Sequence, residues 1–202
     1  MAQLFRPSSN TIAQVSIAAA VLLASSILAV AYMTDRGSWI TSVQSAPEQP
    51  IPYSHKLHAG DNKIQCAYCH SGVEKSRHAT IPSLNVCMNC HRVVKTDSPW
   101  IKQITAAYNE GKPIQWVRVH ELPDYVYFPH KRHIAKGLAC ETCHGDVKTM
   151  ARVEQFAPLT MGWCMECHRG QTTPKDVLAN IYPGVKDPHG PVAPTNCSTC
   201  HH

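Results

Sequence analysis

Several residue types are scarce in this 202-residue chain. Phenylalanine occurs only 3 times, charged residues make up 16% of the chain, and the 15 prolines outnumber the 10 glycines. The low charge excludes a highly charged disordered chain, and the low glycine count excludes a collagen-like repeat. Long apolar runs are missing outside the N-terminal segment, so a large aliphatic core is not expected. Something other than side chains must therefore fill much of the interior.

Cysteine and histidine, in contrast, are abundant. The 10 cysteines fall into five Cys-x-x-Cys pairs, and a histidine follows each pair directly. The five motifs, numbered 1 to 5 along the chain, span Cys66–His70, Cys87–His91, Cys140–His144, Cys164–His168 and Cys197–His201. This pattern is the attachment signature of c-type haem. Two thiols add to the two vinyl groups of one porphyrin, and the adjacent histidine reaches the iron as its proximal ligand.

The sequence therefore predicts five covalently bound haem c groups. The predicted thioether residues are Cys66, Cys69, Cys87, Cys90, Cys140, Cys143, Cys164, Cys167, Cys197 and Cys200, and the predicted proximal ligands are His70, His91, His144, His168 and His201.

Two other uses of cysteine pairs compete with haem attachment. Zinc ribbons also contain Cys-x-x-Cys, and disulfides join cysteines in oxidising compartments, but neither needs a histidine next to every pair. With 13 histidines in 202 residues, five such histidines arise by chance on the order of once in a million sequences. Haem attachment is the favoured interpretation.

The N-terminal segment from Thr11 to Met33 contains no charged residue and is long enough to cross a bilayer. A cleaved signal peptide is the alternative, since Ala29-Val30-Ala31 fits a small-x-small cleavage site. We adopt the uncleaved anchor, which uses the whole apolar length. The prediction is a single-pass anchor over residues 1–34, a proline-containing linker over 35–52 and a haem domain over 53–202, on the periplasmic side of the bacterial cytoplasmic membrane.

Regular structure is expected to be sparse in the haem domain, with mostly irregular backbone and short α-helices around the haems. One helix is predicted to begin at Ser98-Pro99 and to stop at Gly111, and helical turns are expected at each motif. A second short helix is predicted from Thr173-Pro174 to about Asn180. The segment Trp116–Val119 is predicted as a strand. The predicted fold class is a multihaem cytochrome c domain with one N-terminal transmembrane helix.

An internal repeat of the form aromatic-x-His-x-x-His precedes motifs 1 and 3. Its two copies contain Tyr53, His55 and His58, and Phe128, His130 and His133. These units resemble the class III type of small multihaem cytochrome. The resemblance implies that His55 and His130 are distal ligands at motifs 1 and 3, while His58 and His133 serve other haems.

Further distal ligands come from the remaining histidines and methionines. His120 is the predicted fifth distal ligand, and His78 or His189 would compete with it. A methionine ligand at one haem is the alternative, for which Met150 and Met161 are the candidates, and it would raise the reduction potential of that haem. His202 is interpreted as a surface residue.

The formal charge of +5 does not indicate nucleic-acid binding. Each haem brings two propionates, so five ferric haems cancel about five positive charges. Lysine and arginine are expected to pair with these propionates. No nucleic-acid partner is predicted, and the lipid bilayer is the expected surface partner.

A narrower resemblance rests on three segments, IPSLNVCMNCHR (81–92), WVRVHELPDYVYFPHKRH (116–133) and MGWCMECHR (161–169). With the anchor and the five motifs, they resemble the pentahaem cytochrome subunit of bacterial alternative complex III. The resemblance implies a non-catalytic subunit that relays electrons from quinol oxidation to a cytochrome c or an oxidase. The implied partners are an iron–sulfur subunit, polytopic quinol-binding subunits and a monohaem cytochrome c.

Two alternatives remain open on the sequence. A free-standing quinol dehydrogenase of the membrane-anchored tetrahaem type would need a quinol site in this chain, and such proteins carry four haems. A periplasmic storage or shuttle cytochrome would not need the anchor.

Overall fold

The computed structural model describes residue 6 and residues 8–35, 37–173 and 193–201. The chain divides into two compact units, Met1–Ser42 and Val43–His202. Secondary structure is helical in both. The described residues contain no strand, only one isolated antiparallel bridge between Val126 and His201.

The first unit contains helix α1, Ser8–Asp35, and the short helix α2, Ser38–Thr41. An 18-residue stretch within Ser8–Thr34 has a mean hydropathy of 2.2, so α1 is long and apolar enough to cross a bilayer as an anchor or to act as a signal sequence. The hydroxyls of Ser25 and Ser26 both donate to the Leu22 carbonyl within the helix. These polar groups are therefore satisfied without water, as an apolar surrounding requires.

The second unit is built from short helices joined by irregular segments. In chain order these are a π-helical turn Lys56–Asp61, α3 Cys66–Cys69, α4 Leu84–His91, α5 Pro99–Asn109, α6 His130–Ala135, α7 Cys140–His144, a 3₁₀ turn Val147–Thr149, α8 Met161–His168 and α9 Cys197–Cys200.

The hydrophobic core of this unit is small and lies between α4 and α5. Its buried members are Ile51, Met88, Ile101 and Ile104. The isoleucines of α5 lie three residues apart, so they share the face that packs on α4. The predicted helix at Ser98-Pro99 is confirmed, with Ser98 as the N-cap residue.

The C-terminal end of α5 also agrees with the sequence. Gly111 has a φ of +67°, and the chain leaves the helix at this left-handed position. The predicted helical turn is present at all five motifs, in α3, α4, α7, α8 and α9. The short helix predicted from Thr173-Pro174 to about Asn180 lies outside the described residues.

One expectation differs from the structure. The strand predicted over Trp116–Val119 is wrong, because the Gln49 side chain takes the hydrogen bonds that a neighbouring strand would make. Its amide donates to the Val117 carbonyl at 3.0 Å, and its oxygen accepts from the Val117 N–H at 2.9 Å. The linker over residues 35–52 stays a prediction. Residues 43–52 belong to the second compact unit, where Ile51 is only 4% exposed.

Candidate functional site

All five Cys-x-x-Cys-His motifs contain a helical turn. In motifs 1, 3 and 5 an extended residue directly precedes the first cysteine, whereas motifs 2 and 4 form the C-terminal ends of the longer helices α4 and α8. In α3 and α9 the N–H of His70 and of His201 donates to the carbonyl of the first cysteine, at 2.9 Å in both. The turn brings the two thiols close together and places the histidine directly after them. All 10 cysteines are free thiols in the structure.

The cysteine pairs do not assemble as a zinc ribbon either. Within the described ranges, no three or more His, Cys, Asp or Glu side chains come together as a metal cage. A zinc ribbon needs four such ligands around one ion. The grouping that the structure does show is a pairing of histidines.

Four of the five motif histidines each face a second imidazole. The facing pairs and their centroid separations are His55–His70 at 6.5 Å, His58–His91 at 6.2 Å, His130–His144 at 6.4 Å and His133–His168 at 6.1 Å. A metal ion between two imidazoles lies about 2 Å from each ring nitrogen, and each nitrogen lies about 1 Å from its centroid, so facing centroids are about 6 Å apart. The four separations fit one iron between each pair, with the porphyrin supplying its other four ligands.

Hydrogen bonds at Nδ1 determine which ring nitrogen is free to bind a metal. Six of these histidines bond a backbone carbonyl through Nδ1, namely His70 to Thr80 (2.6 Å), His91 to Val94 (3.0 Å), His168 to Pro194 (2.7 Å), His58 to Ser54 (2.8 Å), His130 to Arg77 (2.8 Å) and His133 to Pro129 (3.0 Å). A carbonyl only accepts, so Nδ1 must carry the proton. The lone pair therefore resides on Nε2, as metal ligation requires.

Burial keeps two of the paired imidazoles neutral. Burial, together with the nearby His70 and His58, lowers the pKa of His55 to about 4. The pKa of His144 is also lowered to about 4, first by burial and then by His120 and His130. Both rings are therefore neutral at pH 7, and the neutral form is the one that coordinates iron.

The aromatic residue of each repeat packs against the two histidines that follow it. The Tyr53 ring stacks on His58 at 4.4 Å and meets His55 edge-on at 4.8 Å. Phe128 repeats both contacts, with His133 at 4.3 Å and with His130 at 4.9 Å. The two copies of aromatic-x-His-x-x-His therefore make the same pair of ring contacts.

His120 lies in a different place from the other predicted distal ligands. Its Nε2 is 3.3 Å from Nδ1 of His144, and the two rings meet edge-on with centroids 4.5 Å apart. This contact is on the same nitrogen that other proximal histidines use for a carbonyl. His120 is therefore placed as a hydrogen-bond partner of His144 and does not face a proximal ring across an iron-sized gap.

The remaining candidates are not brought opposite a proximal ring by any of these pairings. His78 is exposed, and Met161 is 64% exposed at the start of α8. Met150 accepts a hydrogen bond at its carbonyl from the Lys56 N–H, 2.9 Å away. His189 and His202 lie outside the described residues.

At motif 5 the ring that stacks on His201 belongs to a tyrosine. Tyr125 lies with its centroid 5.8 Å from that of His201, and the planes are 27° apart. No motif in the sequence singles out Tyr125. The only available signal was its position within the segment that leads to Phe128.

Two further observations test whether haem fits these motifs. Arg77 Nε is buried without a hydrogen-bond partner, and its guanidinium lies 4.2 Å from the centre of the Tyr127 ring. A propionate carboxylate is the kind of group that would pair with it. In addition, large apolar side chains beside the motifs are exposed, including Tyr68, Val93 and Phe156, and a porphyrin would cover such surface. The residues therefore fit haem.

Comparison with known proteins supports this chemistry. The sequence family described as cytochrome c7 and related cytochrome c matches residues 126–202. The chain is similar to the menaquinone reductase multihaem cytochrome c subunit of Nitratidesulfovibrio vulgaris (strain Hildenborough), at 38% identity over 101 residues, which is 50% of this chain and 47% of that protein. The chain thus spans about half the length of the curated relative. The prediction of a helical, multihaem cytochrome c fold is confirmed.

Proposed function

We propose that this chain, whose second unit is a multihaem cytochrome c domain, is the electron-transfer subunit of a membrane complex and holds five covalent haems. The observation that carries the proposal is the set of four imidazole pairs at 6.1–6.5 Å, each containing the histidine of a Cys-x-x-Cys-His motif. When bound, c-type haem supplies reversible one-electron redox chemistry that side chains cannot provide.

The chain's own residues have three tasks in this proposal. The ten cysteines anchor the porphyrins, and the motif histidines bind from one side. Two residues of each repeat, His55 and His58 or His130 and His133, bind from the other side. An iron with histidine on both sides has no open position for substrate, so the paired motifs favour electron transfer over catalysis.

We further propose that α1 is an uncleaved anchor. In this arrangement the haem domain lies on the periplasmic side of the cytoplasmic membrane, where covalent haem attachment takes place in bacteria. The span Ser8–Thr34 has the required length and hydropathy. The partners are then membrane subunits and the lipid bilayer.

The proposed complex is quinone-linked. The curated relative is by name a subunit of a menaquinone reductase, and the segments around motifs 2, 3 and 4 resemble alternative complex III. We propose the latter assignment, with electrons arriving from an iron–sulfur subunit and leaving to a cytochrome c or an oxidase. Every cysteine of this chain belongs to a motif, so the iron–sulfur clusters must be held by another subunit.

The haem content is tested on the holoprotein produced in a host with c-type haem maturation. Pyridine haemochrome absorbance divided by protein concentration is expected to give five haems per chain, and the intact mass should exceed the polypeptide mass by five haem masses. A count below five, or zinc at the motifs, would overturn the proposal of five haems.

The complex is tested by purification from native membranes in mild detergent. Co-purification with an iron–sulfur subunit and polytopic quinol-binding subunits is expected. Quinol oxidation by the isolated chain would instead support the free-standing quinol dehydrogenase. Net quinone reduction by the purified complex would support the direction indicated by the relative's name and contradict the assignment to alternative complex III.

A further inference from the structure

The order of the five motifs along the chain differs from their order in space, as four sets of contacts show. The first set joins motifs 1 and 2. The Tyr53 ring contacts both His55, which faces motif 1, and His58, which faces motif 2. Between the motif loops, the Asn89 side chain donates to the Tyr68 hydroxyl at 3.0 Å. Motif 2 is therefore a direct neighbour of motif 1.

The second set of contacts joins motif 1 to motif 3 and does not involve motif 2. Nδ1 of His130, which faces motif 3, donates to the carbonyl of Arg77, in the loop after motif 1. The π-helical turn before motif 1 packs on the 3₁₀ turn after motif 3. There the Lys56 N–H donates to the Met150 carbonyl at 2.9 Å, and a Cβ added at Gly60 would collide with the Lys148 carbonyl.

The cysteine side chains also show that motifs 1 and 3 are neighbours. The thiol of Cys140, the first cysteine of motif 3, has that of Cys66, the first cysteine of motif 1, as a neighbour. The opposite cysteine of motif 1, Cys69, instead has Cys87 of motif 2 as a neighbour. Motif 1 is therefore placed between motifs 2 and 3.

The third set joins motifs 3 and 4. Phe128 contacts both His130, which faces motif 3, and His133, which faces motif 4. The thiol of Cys143 has those of Cys164 and Cys167 as neighbours. This is the same arrangement that Tyr53 makes with motifs 1 and 2 in the first repeat.

The fourth set joins motif 4 to motif 5. Nδ1 of His168 donates to the Pro194 carbonyl at 2.7 Å, and the Ala193 N–H donates to the His168 carbonyl at 3.2 Å. The thiol of Cys164 has that of Cys200 as a neighbour. The segment leading into motif 5 is therefore held against motif 4.

Exposure of the cysteines provides an independent indication of which motifs lie at the ends. Of the ten cysteines, only Cys90 of motif 2 and Cys197 of motif 5 are exposed, and the other eight are partly buried. In a single row the two terminal members have one neighbour each and the inner members have two. The exposed cysteines belong to the motifs that the contacts place at the ends.

We propose that the five motifs form one row in the order 2–1–3–4–5, so that motifs 2 and 5 are the two terminals at which one-electron redox partners exchange electrons with this chain. The proposal rests on the proposed function, because the row carries electrons only if each motif holds a haem. The two repeats are then joined through their first motifs, 1 and 3, at the middle of the row.

The order is tested on the full-length holoprotein in detergent by X-ray crystallography, with iron positions taken from anomalous scattering at the iron edge. Each iron is assigned to its motif through the density of its two thioether bonds. The expected result is a single row in which the iron of motif 1 has those of motifs 2 and 3 as neighbours. An iron of motif 2 lying closer to motif 3 than to motif 1 would overturn the order.

A solution measurement provides a second test without any substitution. In the fully reduced protein, nuclear Overhauser contacts between protons of different haems are expected for motif pairs 1–2, 1–3, 3–4 and 4–5. Contacts between 2 and 4 or between 2 and 5 would contradict the row. Five haems in another order would remove this inference alone, whereas a chain without haem would remove the proposed function.

Discussion

At the scale of single residues, backbone carbonyls determine which ring nitrogen of a histidine carries the proton. The carbonyls of Thr80, Val94 and Pro194 each fix a proton on Nδ1 of a proximal ring. Thr80 holds its carbonyl there with a φ of +67°, which a β-branched residue rarely adopts. The local backbone is thus held in an unfavourable conformation at a residue that orients the His70 ring.

His120 is expected to act through His144. An acceptor at Nδ1 makes a ligating imidazole more basic, which stabilises ferric iron and lowers the potential. His120→Ala should therefore raise the potential of one haem by a few tens of millivolts, since a hydrogen bond contributes about 1 kcal/mol and a tenfold change corresponds to 59 mV for one electron. Spectroelectrochemical titration of the holoprotein measures this shift.

The exposed His78 provides the matched control for this substitution. His78→Ala should leave all five potentials unchanged. If His120→Ala instead produced a high-spin ferric signal in electron paramagnetic resonance, His120 would be a distal ligand, as the sequence analysis predicted.

His58 is expected to bind the iron of motif 2 opposite His91, from which its ring centroid lies 6.2 Å away. His58→Ala should convert one of the five haems from low-spin to high-spin, because it removes the sixth ligand. His58→Met should keep that haem low-spin and raise its potential, because thioether ligation favours ferrous iron. Magnetic resonance and redox titration distinguish the two variants, and an unchanged low-spin signal in His58→Ala would contradict the assignment.

At the scale of helices and turns, most segments depend on what surrounds them. The motif helices α3, α7 and α9 have four or five residues, far too few to be stable alone. They were nevertheless predictable, because the haem attachment pattern requires a turn. Helix α5 was predictable for the usual reasons, with a cap residue, an early proline and an apolar face.

Gly145, directly after His144, is expected to tolerate no side chain. Its φ is +69°, and an added Cβ would lie 2.7 Å from the Phe156 ring. Gly145→Ala should reduce the free energy of unfolding by about 2–4 kcal/mol, from overpacking and from a backbone conformation, φ +69° and ψ −172°, that is almost restricted to glycine. Chemical denaturation of the holoprotein, followed by circular dichroism, measures the loss.

Gly111→Ala is the control for the steric part of this effect. Gly111 has nearly the same φ, +67°, but no atom lies within 4 Å of an added Cβ. Its substitution should cost only the backbone part, about 1 kcal/mol. Equal losses in the two variants would show that Phe156 does not contribute.

At the scale of the whole molecule, the polypeptide buries little of its own apolar surface. The buried hydrophobic residues of the described part are Ile51, Met88, Ile101, Ile104 and Ala157. Five such residues are too few to stabilise a domain of this length. The scarcity of phenylalanine in the sequence therefore agrees with an interior that is completed by porphyrin.

Two truncations test where the second unit begins. A chain starting at Val43, exported behind a cleavable signal peptide, should fold and load haem. A chain starting at Tyr53 loses the buried Ile51 and both Gln49 hydrogen bonds, so it should be less stable by about 3 kcal/mol or more. Thermal unfolding of both loaded proteins provides the comparison, and equal stability would contradict this boundary.

The sequence predicted the parts that chemistry restricts most strongly. The haem motifs, their helical turns and the two repeats follow from residue type and spacing. The sequence did not predict that the Gln49 side chain replaces a strand at Val117, that His120 lies on His144, or that Tyr125 stacks on His201. Each of these contacts joins segments about 20 to 80 residues apart, and local periodicity carries no information at that range.

The hydrogen bond between the Lys56 N–H and the Met150 carbonyl has a consequence for how the protein is made. It closes a loop of about ninety residues, so it cannot form until the chain as far as Met150 is available. In the proposed periplasmic topology, motifs 1 and 2 emerge from the export channel first, and motif 1 meets motif 3 only after motif 3 has followed. Haem attached to the first two motifs as they emerge would therefore be bound to an open chain. Closure of the domain would then enclose groups that are already covalently in place.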